Sequence, residues 1–261
     1  MKFPEKKNYK EIKKYFIKND LDILIENIES KDAKGDKRFS KKIYGPDLED
    51  LYRIHRMIIL NKRISILEYG TGWSTLVILH ALKVNEKNYL KKVKNFRIKK
   101  KFNLTVIDND KKYLNISKQR INKIFKNQKN NISFHYSKCV MTKMNNNICS
   151  YFPDHPRINP DFIYVDGPDQ FKIIGKVNNF TISDLEMMPM NSDILHYENF
   201  LTPGTILLFD GRTANARFIR SQSKRKWKYI EDAKNDQHLF YLNEKPLGAV
   251  SKQQLNFYSK K

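Results

Sequence analysis

The sequence predicts an α/β fold: a mostly parallel, seven-stranded sheet with helices on both faces and a helical extension at its N-terminus. Three observations predict it. Short apolar runs alternate with helical patterns from residue 63 onward, four of those runs end in an acid, and the last two runs have no helix between them. The 261 residues suffice for a full core, and 40% hydrophobic content excludes a disordered chain.

The elements follow in order. Tyr9, Ile12 and Phe16 fall on one helical face; Leu21, Leu24, Ile25 and Ile28 fall on another at i, i+3, i+4, i+7 spacing. These two helices make residues 1–45 an extension or cap, with the main domain over 46–261. The polar stretch SKDAKGDKRFSKK (30–42) lies between them. Pro46 and Asp47 start a third helix, whose first turn carries Glu49 and Asp50, where acids complement the helix dipole. Its stripe of Leu48, Leu51, Tyr52, Ile58 and Ile59 includes His55, read as a packed histidine. Strands are expected at SILE (65–68), NLTVID (103–108), ISFHY (132–136), DFIYVD (161–166) and TILLFD (205–210). Helices are expected over Ser74 to Lys83, Lys111 to Lys126 and Ser192 to Leu201. KWKYIE (226–231) and HLFYLN (238–243) are joined by a polar turn and should pair antiparallel.

Composition narrows the function classes. A net charge of +22 invites a nucleic-acid reading, in which a basic protein binds or modifies RNA or DNA. The lysines, however, are spread along the chain rather than set among aromatics, which favours a solvated surface. KKVKNFRIKKK, Lys91 to Lys101, is the one dense cluster and is read as a solvated insertion. Cys139 and Cys149 match no zinc spacing and are too few for a disulfide framework, so a reducing, cytoplasmic setting is expected. No apolar run approaches the roughly 18 residues of a transmembrane span, and the basic N-terminus leads into no signal-peptide core.

Glu68, Asp108, Asp166 and Asp210 each close a predicted strand, on the edge where such sheets bind ligands. Gly70 and Gly72 let backbone approach a ligand, and the helix beginning near Ser74 offers free N–H groups to an anion. The dinucleotide fingerprint fails, because Thr75 stands where its third glycine would be. Asp108 lies 36 residues past Gly72; without the 17 residues of 85–101 the interval is 19, near the roughly 20 of a ribose-binding acid.

On these residues the chain resembles the class I S-adenosylmethionine-dependent methyltransferases, which have a Rossmann-like fold. LEYGTGWSTL is similar to their E-x-G-x-G-[aromatic]-S-T motif, VIDND to the acidic second motif, FIYVDGPD to the strand-four motif and LTPGTILLFDGR to the strand-five motif. The resemblance spans about Pro46 to Asn243. It implies S-adenosyl-L-methionine as cofactor, held by Glu68, Tyr69, Gly70, Gly72, Ser74, Thr75, Asp108 and Asn109. Glu68 would serve the ammonium, directly or through water; the backbone near Gly72 and the Ser74 hydroxyl would serve the carboxylate, and Asp108 the ribose hydroxyls.

Departures from the family pattern refine the expectation. Where many relatives carry an adenine-binding acid, this chain reads YSKCV. Asp166-Gly167-Pro168-Asp169 lacks the second proline and the aromatic of enzymes that methylate base amines, which disfavours a nucleic-acid substrate. In metal-dependent relatives acids matching Asp166 and Asp210 hold a divalent cation such as magnesium, but Gly211 replaces the asparagine that follows. The metal therefore stays open, and either aspartate could instead accept a proton, with Arg212 nearby. Asp169, Asn215 and Arg217 are assigned to the acceptor, and Phe180 to Asp193, with Met187, Met188 and Met190, to a lid or a packed loop. The reading is an S-adenosylmethionine-dependent methyltransferase acting on a small-molecule or glycan-like acceptor, at oxygen before nitrogen. Its alternative is a basic RNA- or DNA-binding protein on the same fold.

Overall fold

The computed structural model describes residues 1–28, 44–125 and 131–259. The expected 30–42 linker and the end of the helix expected to reach Lys126 lie outside them. Seven strands form one sheet: β1 (Ser65–Tyr69), β2 (Asn103–Asp108), β3 (Ile132–Tyr136), β6 (Phe162–Val165), β7 (Ile206–Asp210), β8 (Trp227–Asp232) and β9 (Gln237–Leu242). Their order is β3-β2-β1-β6-β7-β9-β8, and β9 runs antiparallel to both neighbours. That order, with a reversed last strand, is the Rossmann-like class I methyltransferase fold. Two strands not foreseen from sequence, β4 (Val140–Met144) and β5 (Asn147–Tyr151), form a separate hairpin. Asn145 and Asn146 turn it with φ of 48° and 64°, the left-handed region that asparagine tolerates.

Strands β1, β2 and β6 are buried throughout, as expected of a sheet covered on both faces. One face packs on α3 (Leu48–Leu60) and α4 (Trp73–Tyr89). Ile12 and Phe16 of α1 (Tyr9–Lys18), with Leu21 and Leu24, join that same core. The second predicted helix shrinks to one turn, α2 (Ile23–Glu26). His55 is fully buried between the Tyr15 hydroxyl (2.6 Å) and His80 (2.8 Å), a packed histidine. Helix α5 (Lys111–Ile124) follows β2. The other face carries α6 (Asp193–Tyr197) and α7 (Thr213–Gln222). The chain closes on α8 (Ala249–Ser259).

The basic cluster departs from its expectation. It is not simply a solvated loop: Val93, Phe96 and Ile98 are buried with Ile64 and Phe102, against Tyr89 and Phe257. Its lysines remain outside, so the segment is a folded knob with a small core of its own. The Phe180 to Asp193 connection is likewise tied down. Ser150 donates to the Met190 carbonyl (2.7 Å), Gln170 to that of Ile182 (2.7 Å), and Asp193 accepts from the Phe152 N–H (3.1 Å). Met187 packs on the second core, whereas Met188 is exposed.

Candidate active site

The apolar runs of β1, β2, β6 and β7 give out at Glu68, Asp108, Asp166 and Asp210, so four acids share the C-terminal edge of the sheet. Glu68 is completely buried. One carboxylate oxygen accepts the Ser74 hydroxyl at 2.6 Å, while Oε2 has no partner. Burial is the main reason its pKa rises to about 8, partly opposed by the Ser74 hydrogen bond and the nearby Thr75 hydroxyl. A buried, half-satisfied carboxylate is costly unless a donor or cation completes it.

Between Glu68 and α4 the two glycines do different things. Gly70 has φ of +86°, and a Cβ there would meet the Gly167 nitrogen at 2.8 Å. Conversely, a Cβ on Gly167 would lie 2.5 Å from the Gly70 Cα. The turn after β1 thus packs backbone to backbone on the turn after β6. At Gly72 a Cβ would touch only the Ser74 hydroxyl, 3.9 Å away, so its surroundings are open. The Gly72 N–H donates to the Thr75 hydroxyl (3.2 Å), and its carbonyl accepts from Arg120 (3.0 Å), whose guanidinium lies over the Trp73 ring.

Asp108 is buried and accepts the Asp110 N–H at 2.8 Å; burial raises its carboxyl to about 7. Several other expected ligands are committed to the fold. The Ser74 hydroxyl supports Glu68 rather than pointing to a ligand carboxylate. Thr75 caps its own helix. Tyr69 turns into the second core, its hydroxyl bonded to His155 (2.7 Å) and Tyr197 (2.9 Å). Asn109 clamps the backbone of Asp169 through two 3.0 Å bonds, and Asp169 caps the turn Gln170–Lys172.

A crevice of about 220 Å³ opens beside Gly72, lined by Asp47, Asp50, Thr71, Gly72, Trp73, Tyr164, Asp166 and Asp210, among others. Asp47 and Asp50 were legible only as acids of a helix start; α3 aims that start at the strand ends. Asp210 accepts the Tyr164 hydroxyl (2.7 Å) and the Gln237 amide (3.1 Å), one on each oxygen. Burial pushes its pKa up, as it does for Asp50, where Asp210 and Asp47 add repulsion. Asp166 behaves differently: solvent reaches it, yet the protein packed round it raises its pKa to about 7, against the nearby Arg212 charge. Its open side tempers that shift. Arg212 donates to the carbonyls of Asp166 (2.7 Å) and Pro168 (2.8 Å), fixing the turn rather than either carboxylate.

The region of Asn215 and Arg217 is helix α7, not a loop. Asn215 is buried with its amide on the Asn191 carbonyl (2.9 Å), and Arg217 pairs with Glu231 on the surface (3.1 Å). Neither lines the crevice. Divalent metal fits the donor set poorly, because Asp166 and Asp210 are not joined by a third ligand among the described residues. Among the described residues no three His, Cys, Asp or Glu side chains are grouped to hold an ion.

No family model and no curated protein match the chain. Among solved structures it is similar to the O-methyltransferase TomG from Streptomyces achromogenes in complex with SAM, at 12% identity over 93% of this chain and 92% of that one, TM-score 0.45. It is similar also to SAH-bound methyltransferase PaMTH1 from Podospora anserina, at 11% identity over 94% and 100%, TM-score 0.49. A third is an O-methyltransferase from Bacillus cereus in complex with SAH, at 11% identity over 91% and 92%, TM-score 0.42.

Proposed function

We propose that the chain is an S-adenosyl-L-methionine-dependent methyltransferase acting on a small-molecule or glycan-like acceptor, with transfer to oxygen. One observation carries this: Glu68, wholly buried at a strand end, keeps one oxygen bonded to Ser74 and the other without a donor. An ammonium is the partner that this carboxylate lacks. The open space at Gly72 leaves room for the carboxylate of the same amino-acid end, and Asp108 suits a pair of ribose hydroxyls. When bound, the cofactor supplies a methyl group on a positively charged sulfur. The chain's own residues then position and deprotonate. The crevice orients the acceptor beside Gly72, and Asp166, open to solvent with a raised pKa, takes the hydroxyl proton. Asp210, engaged by Tyr164 and Gln237, steadies the wall. The N-terminal residues 1–28 cap the catalytic domain, and two buried free thiols, Cys139 and Cys149, support a cytoplasmic setting. Among the described residues no helix is long and apolar enough to cross a membrane.

Calorimetry with S-adenosylmethionine, S-adenosylhomocysteine and NADH tests the cofactor. Binding of either sulfur nucleoside, weakened about tenfold to a hundredfold in Asp108→Ala by loss of charge-assisted hydrogen bonds, is expected. Binding of NADH alone would sink the reading. For the chemistry, the rate should rise with pH through a pKa above the ordinary carboxylate range, fall about 10²- to 10⁴-fold in Asp166→Asn, and ignore a chelator. Chelator sensitivity would restore the metal.

A further inference from the structure

A second cavity, of about 360 Å³, lies behind the crevice, beneath α3 and the N-terminal strap of residues 3–7. That volume is of ligand-site size, whereas voids in packed cores seldom exceed a water molecule. Ile12, Tyr52, Met57, Leu208 and Leu239 line it, apolar side chains that the rest of the fold shields from solvent. Its lining carries Lys6, Lys7, Arg53 and Lys234 against Glu5, Glu49 and Asp232; Arg53 is paired with Asp50, so the other six charges cancel and nothing selects an ion. The strap is pinned at its ends. Lys2 and Asn61 exchange hydrogen bonds of 2.7 and 2.8 Å, and the Tyr52 hydroxyl donates to the Glu5 carbonyl at 3.3 Å.

A chain of bonded side chains links this cavity to the crevice. Arg53, on the cavity side, is ion-paired to Asp50, on the crevice side. Arg53 also donates to Gln237 (3.3 Å), which donates to Asp210 (3.1 Å). Along α3 the order is Asp47 and Asp50 at the crevice, Arg53 at the partition, and Met57 inside the cavity. Met57 stands four residues past Arg53, about 6 Å deeper at the rise of a helix.

We propose that this cavity is an annex of the acceptor site, holding a neutral apolar body whose hydroxyl end lies among Asp50, Asp166 and Asp210. The acceptor class is thus an amphipathic alcohol or phenol with an alkyl or aryl tail, admitted when Arg53 and Gln237 part. This rests on the methyltransferase reading for the identity of the hydroxyl end, but the annex can be tested by binding alone.

The probe is the series from phenol to 4-octylphenol, titrated calorimetrically with and without S-adenosylhomocysteine. Affinity should tighten roughly fourfold per added methylene until the cavity is full. Met57→Phe should spare phenol and 4-methylphenol but flatten the series beyond them. Ile12→Phe, on the opposite wall, should do the same, so failure of one variant to fold leaves the other. Thermal melts identify such a failure. No gain with chain length in the wild-type protein overturns the annex. Equal loss for every member in both variants overturns its continuity with the crevice. Alkylphenol binding without any S-adenosylhomocysteine binding keeps the cavity as a binding site and defeats the methyltransferase reading instead.

Discussion

At the scale of single residues, Glu68 ties stability to pH. Its carboxyl is raised by burial from the ordinary 4.5 to about 8 in the folded state. Between those values the folded chain holds a proton that the unfolded chain releases, so stability is greatest below about pH 4.5 and declines as pH climbs to about 8. The slope approaches about 1.4 kcal/mol per pH unit within that window. Thermal melts of the ligand-free protein from pH 5 to 8 should therefore show a falling midpoint, and Glu68→Gln should make the fall shallower, leaving the share of other raised carboxyls such as Asp108 and Asp193. S-adenosylhomocysteine should flatten it in the wild-type protein, because an ammonium favours the charged carboxylate. A slope unchanged in Glu68→Gln would show that Glu68 is ionised and satisfied without ligand. Glu68 and Asp108 were legible in the sequence because each ends an apolar run, where a charge has few structural uses. Ser74, Tyr69 and Asn109 were legible as neighbours only; where their side chains turn is decided by partners as distant as His155 and Asp169.

Among elements, legibility follows the strength of the apolar pattern. The parallel strands carry short apolar runs, purest in β6 and β7, and all of them were expected. Helix α8 had no such signal, for its buried positions are Ser251, Gln254 and Tyr258. In the β4–β5 hairpin the signal was the pair Asn145-Asn146, hidden in a longer polar tract. The basic knob misleads in the opposite sense, since its lysines mask three apolar residues spaced to share one small core. Two variants separate its parts. Phe96→Ala should cost about 3–5 kcal/mol in stability, as expected when a buried aromatic is truncated. Replacing Lys91, Lys92 and Lys94 with serine should change stability by less than about 0.5 kcal/mol. Denaturant titration measures both, and equal costs would mean that the knob is held by charge rather than by packing.

For the whole molecule, the two edges of the sheet are built on different terms. The C-terminal edge holds four acids, one of which, Glu68, keeps a buried oxygen without a donor. The opposite edge is closed by a buried staple. Asp161 accepts from the N–H groups of Ile64 (3.0 Å) and Ser65 (3.0 Å) and from the Tyr258 hydroxyl (2.6 Å). Arg63 donates to the Gly204 carbonyl (2.8 Å) and lies over the Tyr258 ring at 4.2 Å. The staple joins the starts of β1 and β6, the turn before β7, and α8. Tyr258→Phe removes the shorter of two donors to one buried Asp161 oxygen, leaving it the Ile64 N–H alone, and takes the acceptor from the Gln254 amide, a cost of about 1–3 kcal/mol. The melting midpoint should fall about 2–4 °C for each kcal/mol, with S-adenosylhomocysteine affinity unchanged. A loss of affinity would mean that the edges are coupled.

The contact between Gly70 and Gly167 sets how freely such a protein can change its clientele. The turn proposed to receive the methyl donor and the turn proposed to lead to the acceptor touch through main chain alone, at distances no side chain could enter. Their relative placement is therefore insulated from the residues that choose the acceptor. Asp47, Asp50, Arg53 and the cavity behind them can be redesigned, by selection or by an engineer, while the line between donor and acceptor keeps its length and direction. The glycine pair itself is a dead end for such variation: neither member can be exchanged without prying the two turns apart.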